Sequence, residues 1–176
     1  MNLRRHHYVS DYVNGQSGAR KNNLYAIQGI NVDPAKVCKV IEEVAYWRKA
    51  NQIHNWFVEN VQGGNDDCGS YYVDTEKLEA LLGIVNEVLD SINLIDGQII
   101  NGYTIENGNK KFNYEDGQLI EDSSIAQKLL PTSEGFFFGS TEYDEYYYQD
   151  LVYTKQILEE ILAREEIDDY YYHSSW

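Results

Sequence analysis

Three residues of this 176-residue chain could do acid-base chemistry if the fold brought them together: Arg48, His54 and Asp150. On a helical wheel His54 falls at the edge of an apolar face, beside Tyr46, Trp47, Ile53, Phe57 and Val61, while Arg48 lies on the polar side with Asn51, Gln52 and Glu59. Asp150 falls inside a second apolar stripe, with Tyr147, Ile157 and Ile161. A carboxylate among core residues must be paired or protonated, so Asp150 is either a general base served by Arg48 or His54, or a fold-fixing partner for a tyrosine hydroxyl or one of those bases. The structural role is favoured, as it is for His54, because a histidine satisfied by a nearby acceptor is commoner than a catalyst. Replacing Asp150 should then orphan its partner and destabilise the domain.

Other site chemistry is sparse. The segment "GSTEYDE" (139–145) lacks the second glycine and the lysine of a phosphate loop and puts carboxylates where phosphate would sit. His6, His7, His54 and His173 have no metal-ligand spacing, and Cys38 and Cys68 form neither a C-x-x-C pair nor a disulfide framework. The expectation is two reduced thiols, no metal and no cofactor.

Charge and aromatic content say more. The formal net charge is -15, and residues 131–176 hold eleven Asp and Glu against Lys155 and Arg164 alone. Such a balance argues against wrapping nucleic acid, whose phosphates are normally met by Lys and Arg, and favours a basic protein partner or solubility alone. Five tyrosines interleave with these acids between residues 143 and 153. Trp56 points away from the apolar stripe, as an exposed interface anchor or as a ring lying under the meander. Tyr170, Tyr171, Tyr172 and Trp176 pose the same choice in the stretch 167–176, "IDDYYYHSSW", which lacks helical periodicity and reads as a flexible acidic aromatic tail. The candidate partner-binding set is Trp56, Glu145, Glu159, Glu166, Tyr170, Tyr171 and Tyr172.

The elements that must position these residues are partly legible. Residues 14–23 form a turn-rich loop between extended pieces "RRHHYV" and "NLYAIQ", and Asp33-Pro34 precedes a helical pattern from about Val40 to Val61. Asp74 caps a second helix to about Ile92, with a stripe of Leu78, Leu81, Leu82, Val85, Val88, Leu89 and Ile92. Four Asp-Gly or Asn-Gly pairs between 94 and 121 predict a β-meander insertion. A short helix near 124–130 precedes Pro131, and Thr141 caps a last helix whose face carries Tyr143, Tyr147, Leu151, Leu158 and Ile161. The composite is one α+β domain over 1–176, with three main helices packed on a small antiparallel sheet.

The stretches "VAYWRKANQIHNWFVENV", "NDDCGSYYVDTEKLEALL" and "LLPTSEGFFFGSTEYDEYYYQDL" resemble a family of small uncharacterised proteins encoded by bacteriophages and prophages. The resemblance covers about half the chain and implies a mobile-element origin, with no activity or catalytic residue to carry over; relative to shorter members the 94–121 region looks enlarged. With no charged-then-apolar leader and no long apolar run, a cytoplasmic protein of the bacterial host is expected, off the membrane. The leading functional expectation is a non-enzymatic acidic protein that binds a basic site on a host protein, as an inhibitor of a defence system whose carboxylates mimic nucleic-acid phosphates. The alternatives are a small-molecule binder or enzyme with a pocket between the first and last helices, lined by Arg48, His54 and Asp150, or an assembly protein. Oligomeric state stays open.

Overall fold

The computed structural model describes residues 1–8, 39–135, 140–164 and 169–175, with the side chains of residues 7 and 8 set aside. The expected loop at 14–23, the extended "NLYAIQ", the helix start at Asp33-Pro34, Cys38, Glu166 and Trp176 all lie outside the described residues. The rest is an α+β architecture of two antiparallel sheets and, among the described residues, four helices.

Strands β1 (Asn2–Tyr8) and β2 (Lys39–Tyr46) pair antiparallel. Helix α1 (Asn51–Asn60), strand β3 (Ser70–Val73) and helix α2 (Thr75–Ser91) follow. Strands β4 (Leu94–Glu106) and β5 (Asn109–Ile120) form a long hairpin. Helices α3 (Ser124–Leu129) and α4 (Glu145–Leu162) precede the last strand, β6 (Asp169–His173). The larger sheet has the order β2-β1-β6-β3, and the hairpin is a sheet of its own.

The stripes on α2 and α4 behave as their periodicity requires. Leu78, Leu81, Val85 and Val88 are buried against Tyr147, Leu151, Leu158 and Ile161 in one continuous core. Asp74 caps α2 by accepting from the Lys77 amide at 2.7 Å. Asp144, not Thr141, caps α4, taking the Tyr146 and Tyr147 amides at 3.0 and 3.1 Å on one oxygen.

Three expectations are corrected. The helix expected from Val40 begins only at Asn51: residues 39–46 are β2, where β-branched Val40, Ile41 and Val44 suit a strand and Arg5 meets Glu42 at 3.4 Å from β1. Lys49, at φ 68°, turns the chain between strand and helix, and a residue there cannot lie inside a continuous right-handed helix. The expected tail is β6, an inner strand of the sheet, paired with β1 on one side and β3 on the other. Its Tyr170 and Tyr172 point into the core and Tyr171 to the other face, the alternation of a strand.

The expected meander is a single hairpin. Only Asn107-Gly108 makes a tight turn, with φ values of 53° and 80°, and Gly102, at φ 82°, sits at the bulge between Ile100 and Tyr103. Gly97 and Gly117 face each other within the strands. A Cβ on Gly97 would lie 2.7 Å from a Leu119 methyl, and one on Gly117 2.5 Å from an Ile99 methyl, so these glycines make room for cross-strand side chains rather than turns. The hairpin base is clasped to α4: Gln118 N donates to Glu145 Oε2 at 2.9 Å, Ile120 N to the Tyr143 carbonyl at 3.0 Å, and Tyr146 OH to Glu115 Oε1 at 3.2 Å. Among the described residues no helix is long and apolar enough to cross a membrane.

Candidate functional site

The corner from β2 to α1 is pinned onto α4. Trp47 is buried and its indole N–H donates to Thr154 Oγ1 at 2.9 Å, while the Tyr46 amide donates to the Tyr153 hydroxyl at 3.2 Å. The left-handed turn at Lys49 then aims the first residues of α1 across the side of α4. Asn51 is almost wholly enclosed and joins two chain segments, donating to the Ser140 carbonyl and accepting from the Ser133 amide, each at 3.0 Å. Gln52, equally enclosed, donates to Asp150 Oδ2 at 3.1 Å.

These contacts leave a cleft of about 530 Å³ whose walls include Arg48, Lys49, Gln52, Asp144, Tyr146 and Asp150. Ile100 and Asn101, from the hairpin, also line it. Burial raises the Asp150 pKa to about 6; the Gln52 hydrogen bond pulls the other way, and the nearby Asp144 adds to the rise. Burial also raises Asp144, against the pull of the two amides it caps. Its second oxygen, Oδ2, is buried with no hydrogen-bond partner. The cleft therefore combines apolar lining with a carboxyl whose pKa is raised to about 6 and two cationic side chains, Arg48 and Lys49, on its wall.

Of the three residues expected to form a pocket, Arg48 and Asp150 share this cleft and His54 does not line it. His54 is a core residue, with Nδ1 at 2.7 Å from the Tyr172 hydroxyl and Nε2 at 3.1 Å from Asp66 Oδ1. It fixes the inner strand to α1, a structural role. Asp150 meets its expectation in part: it is partly buried and hydrogen-bonded, with Gln52 as donor instead of a tyrosine, Arg48 or His54.

The expected partner-binding residues do not form one surface. Trp56 is 6% exposed and packs edge-on against Phe57 at 5.3 Å, so it is a buried ring in the core and not an exposed anchor. Tyr170 and Tyr172 are core residues, and half-buried Tyr171 stacks on His6 at 4.2 Å. Glu145 is half-buried and committed to the hairpin clasp. Glu159 is exposed, 3.8 Å from Lys155. Cys68 is an exposed free thiol, and among the described residues no three His, Cys, Asp or Glu side chains are grouped to hold a metal.

Sequence reasoning missed Lys49, Asn51, Gln52 and Asp144. A single helical wheel through residues 40–61 puts Asn51 and Gln52 on its polar face, because it runs through the turn at Lys49 that breaks the helix. Asp144 carried a usable signal, an acid immediately before the buried stripe of α4, but Thr141 competed for the same role.

A pH-dependent outcome follows from Asp150. A carboxyl raised from 3.8 to about 6 in the folded state opposes folding once ionised. The cost is absent below the unfolded pKa, grows between the two values and is complete above the higher one. Asp150→Asn, which keeps an acceptor for Gln52, is expected to stabilise the fold by about 1 to 2 kcal/mol near pH 8 and to change nothing near pH 3. Asp150→Ala differs in that it removes this acceptor and leaves the buried Gln52 amide unpaired, the loss expected from an orphaned partner. Urea midpoints of Asp150→Asn and the natural chain across that range decide it, and a variant less stable at pH 8 would mean that the ionised carboxylate contributes to the fold.

The chain matches no protein-family model, no curated protein and no solved structure.

Proposed function

We propose that this is a non-enzymatic, phage- or mobile-element-encoded protein that binds a positively charged site on a host protein. The observation that carries the reading is the exposed acid of α2 and α4, two helices that pack against each other. Glu76, Glu79, Glu87, Asp90, Glu159 and Glu160 are exposed, while the lysines of the same helices, Lys77 and Lys155, are half-buried. Rigid helices hold these carboxylates at fixed separations, as a surface that takes the place of a nucleic-acid backbone in a basic channel must. A defence nuclease is the host protein such mimicry would serve.

Burial of Trp56, Tyr170 and Tyr172 moves the reading from an aromatic anchor to charge. The test is affinity capture on the full chain in a bacterial lysate, with identification of bound proteins and a parallel capture on a variant carrying Gln or Asn at the six exposed acids. A basic partner retained by the natural chain and lost by the variant is expected. Equal capture by both would sink the reading.

A second reading, a small polar ligand in the cleft, is favoured by one coincidence: the left-handed Lys49 and the raised Asp150 stand on the same walls. Ligand-induced shifts in melting temperature from a panel of small zwitterions and amines, abolished by Asp150→Asn, would move this reading ahead of the first.

A further inference from the structure

The outer half of the β4–β5 hairpin is an arm with an apolar face. Residues 101–114 are all exposed, so among the described residues this half of the hairpin has no cover from the core. The strand register sorts its side chains. Ile100 pairs with Tyr114, Tyr103 with Phe112 and Ile105 with Lys110, so these six share one face. Tyr103 is 51% exposed, Ile105 70%, Phe112 46% and Tyr114 60%. The Lys110 ammonium lies 4.7 Å above the Tyr103 ring, and Tyr103 meets Phe112 edge-on at 6.4 Å. One step toward the body, Asp116 is on the same face, paired with Gln98.

An isolated two-stranded hairpin is marginal in water, and an exposed aromatic strip with two open strand edges invites a partner. The charge order along the strip says which. From base to tip the face reads acid at Asp116, then Tyr114 and Phe112, then cation at Lys110. That pattern is complementary to itself when reversed. We infer that two copies of this chain associate through their hairpin arms, face to face and antiparallel, so that Lys110 of each copy meets Asp116 of the other around a core of Tyr103, Phe112 and Tyr114.

A two-fold interface requires one patch that matches its own inverse, and this strip does. The reversed order also holds the acidic bodies at opposite ends of the paired arms, where their like charges are farthest apart. The association does not depend on the acidic helical layer and leaves that layer free, so its failure says nothing about the basic-partner reading.

Sedimentation velocity of the full chain from about 1 to 100 µM, the range suited to a small interface, tests the inference. A monomer–dimer equilibrium is expected. Phe112→Ser should abolish it, and Lys110→Glu and Asp116→Lys should each weaken it roughly tenfold by placing like charges together. The double variant Lys110→Glu/Asp116→Lys should recover the natural dimer, because the pairs re-form with their signs exchanged. Circular dichroism melts check folding; if Phe112→Ser melts early, the charge pair alone decides. A monomer throughout, or a dimer indifferent to all four variants, overturns the inference. A dimer lost with Phe112→Ser whose charge reversals are not rescued by each other overturns the antiparallel register.

Discussion

Tyr172→Ala is expected to cost about 3 to 5 kcal/mol of stability, the range for deleting a wholly buried aromatic ring. Tyr172 is 0% exposed, on an inner strand of the sheet, with its ring stacked on Phe57 at 4.1 Å and 8° between planes. Phe57 in turn packs against Trp47 and Trp56, so the cavity would open at the centre of an aromatic cluster with little freedom to collapse. The hydroxyl adds a separable part. It lies 2.7 Å from His54 Nδ1 in a site without exposed surface, and burial raises its pKa far above the usual tyrosine value, so it stays protonated. Tyr172→Phe keeps the stack and removes the hydroxyl's hydrogen bond with His54, for an expected loss of about 1 to 2 kcal/mol. Urea denaturation of the three proteins separates ring from hydroxyl. A Tyr172→Ala midpoint equal to that of the natural chain would mean the last strand is dispensable to the sheet.

That strand shows where sequence reading runs out. "DYYYH" alternates in burial but not in residue type: Tyr170 and Tyr172 face the core, Tyr171 does not, and all three are the same letter. A period of two cannot be seen when both phases are tyrosine. The stripes of α2 and α4 were legible for the opposite reason, since Leu and Val alternate with Glu, Asp and Asn at helical spacing over more than four turns. The helix expected from Val40 to Val61 is right from Asn51 on and wrong before it, because apolar residues four apart in "VIEEVAY" also fit a helix. The break at Lys49 has no signal, lysine being a residue that seldom takes a left-handed φ. The cleft inherits both cases. Asp150 was found from a correct wheel on α4, whereas Asn51 and Gln52 were hidden by a wheel that ran through the break.

The acidic helical layer carries the remaining large effect, on the kinetics of binding. Exposed charges several ångströms from a partner contribute little to the final contact, but their summed field raises the encounter rate of an oppositely charged surface. Glu76, Glu79, Glu87, Asp90, Glu159 and Glu160 stand clear of the core, so replacing them with Gln or Asn should leave the melting temperature nearly unchanged. Glu145 is kept out of the set because its carboxylate accepts from Gln118 N and holds the hairpin base. With an identified basic partner, the six-fold variant is expected to associate at least tenfold more slowly at low salt, with a much smaller change in dissociation. Raising the ionic strength should slow the natural chain toward the variant's rate, since charges more than about 8 Å apart are screened near 0.15 M salt. The two curves should therefore converge as salt rises. If they run parallel, the substitutions have removed local contacts and not a steering field. If the natural chain associates at a rate independent of salt, the carboxylates only solvate the helices, and the cleft beside Asp150 becomes the place to look for function.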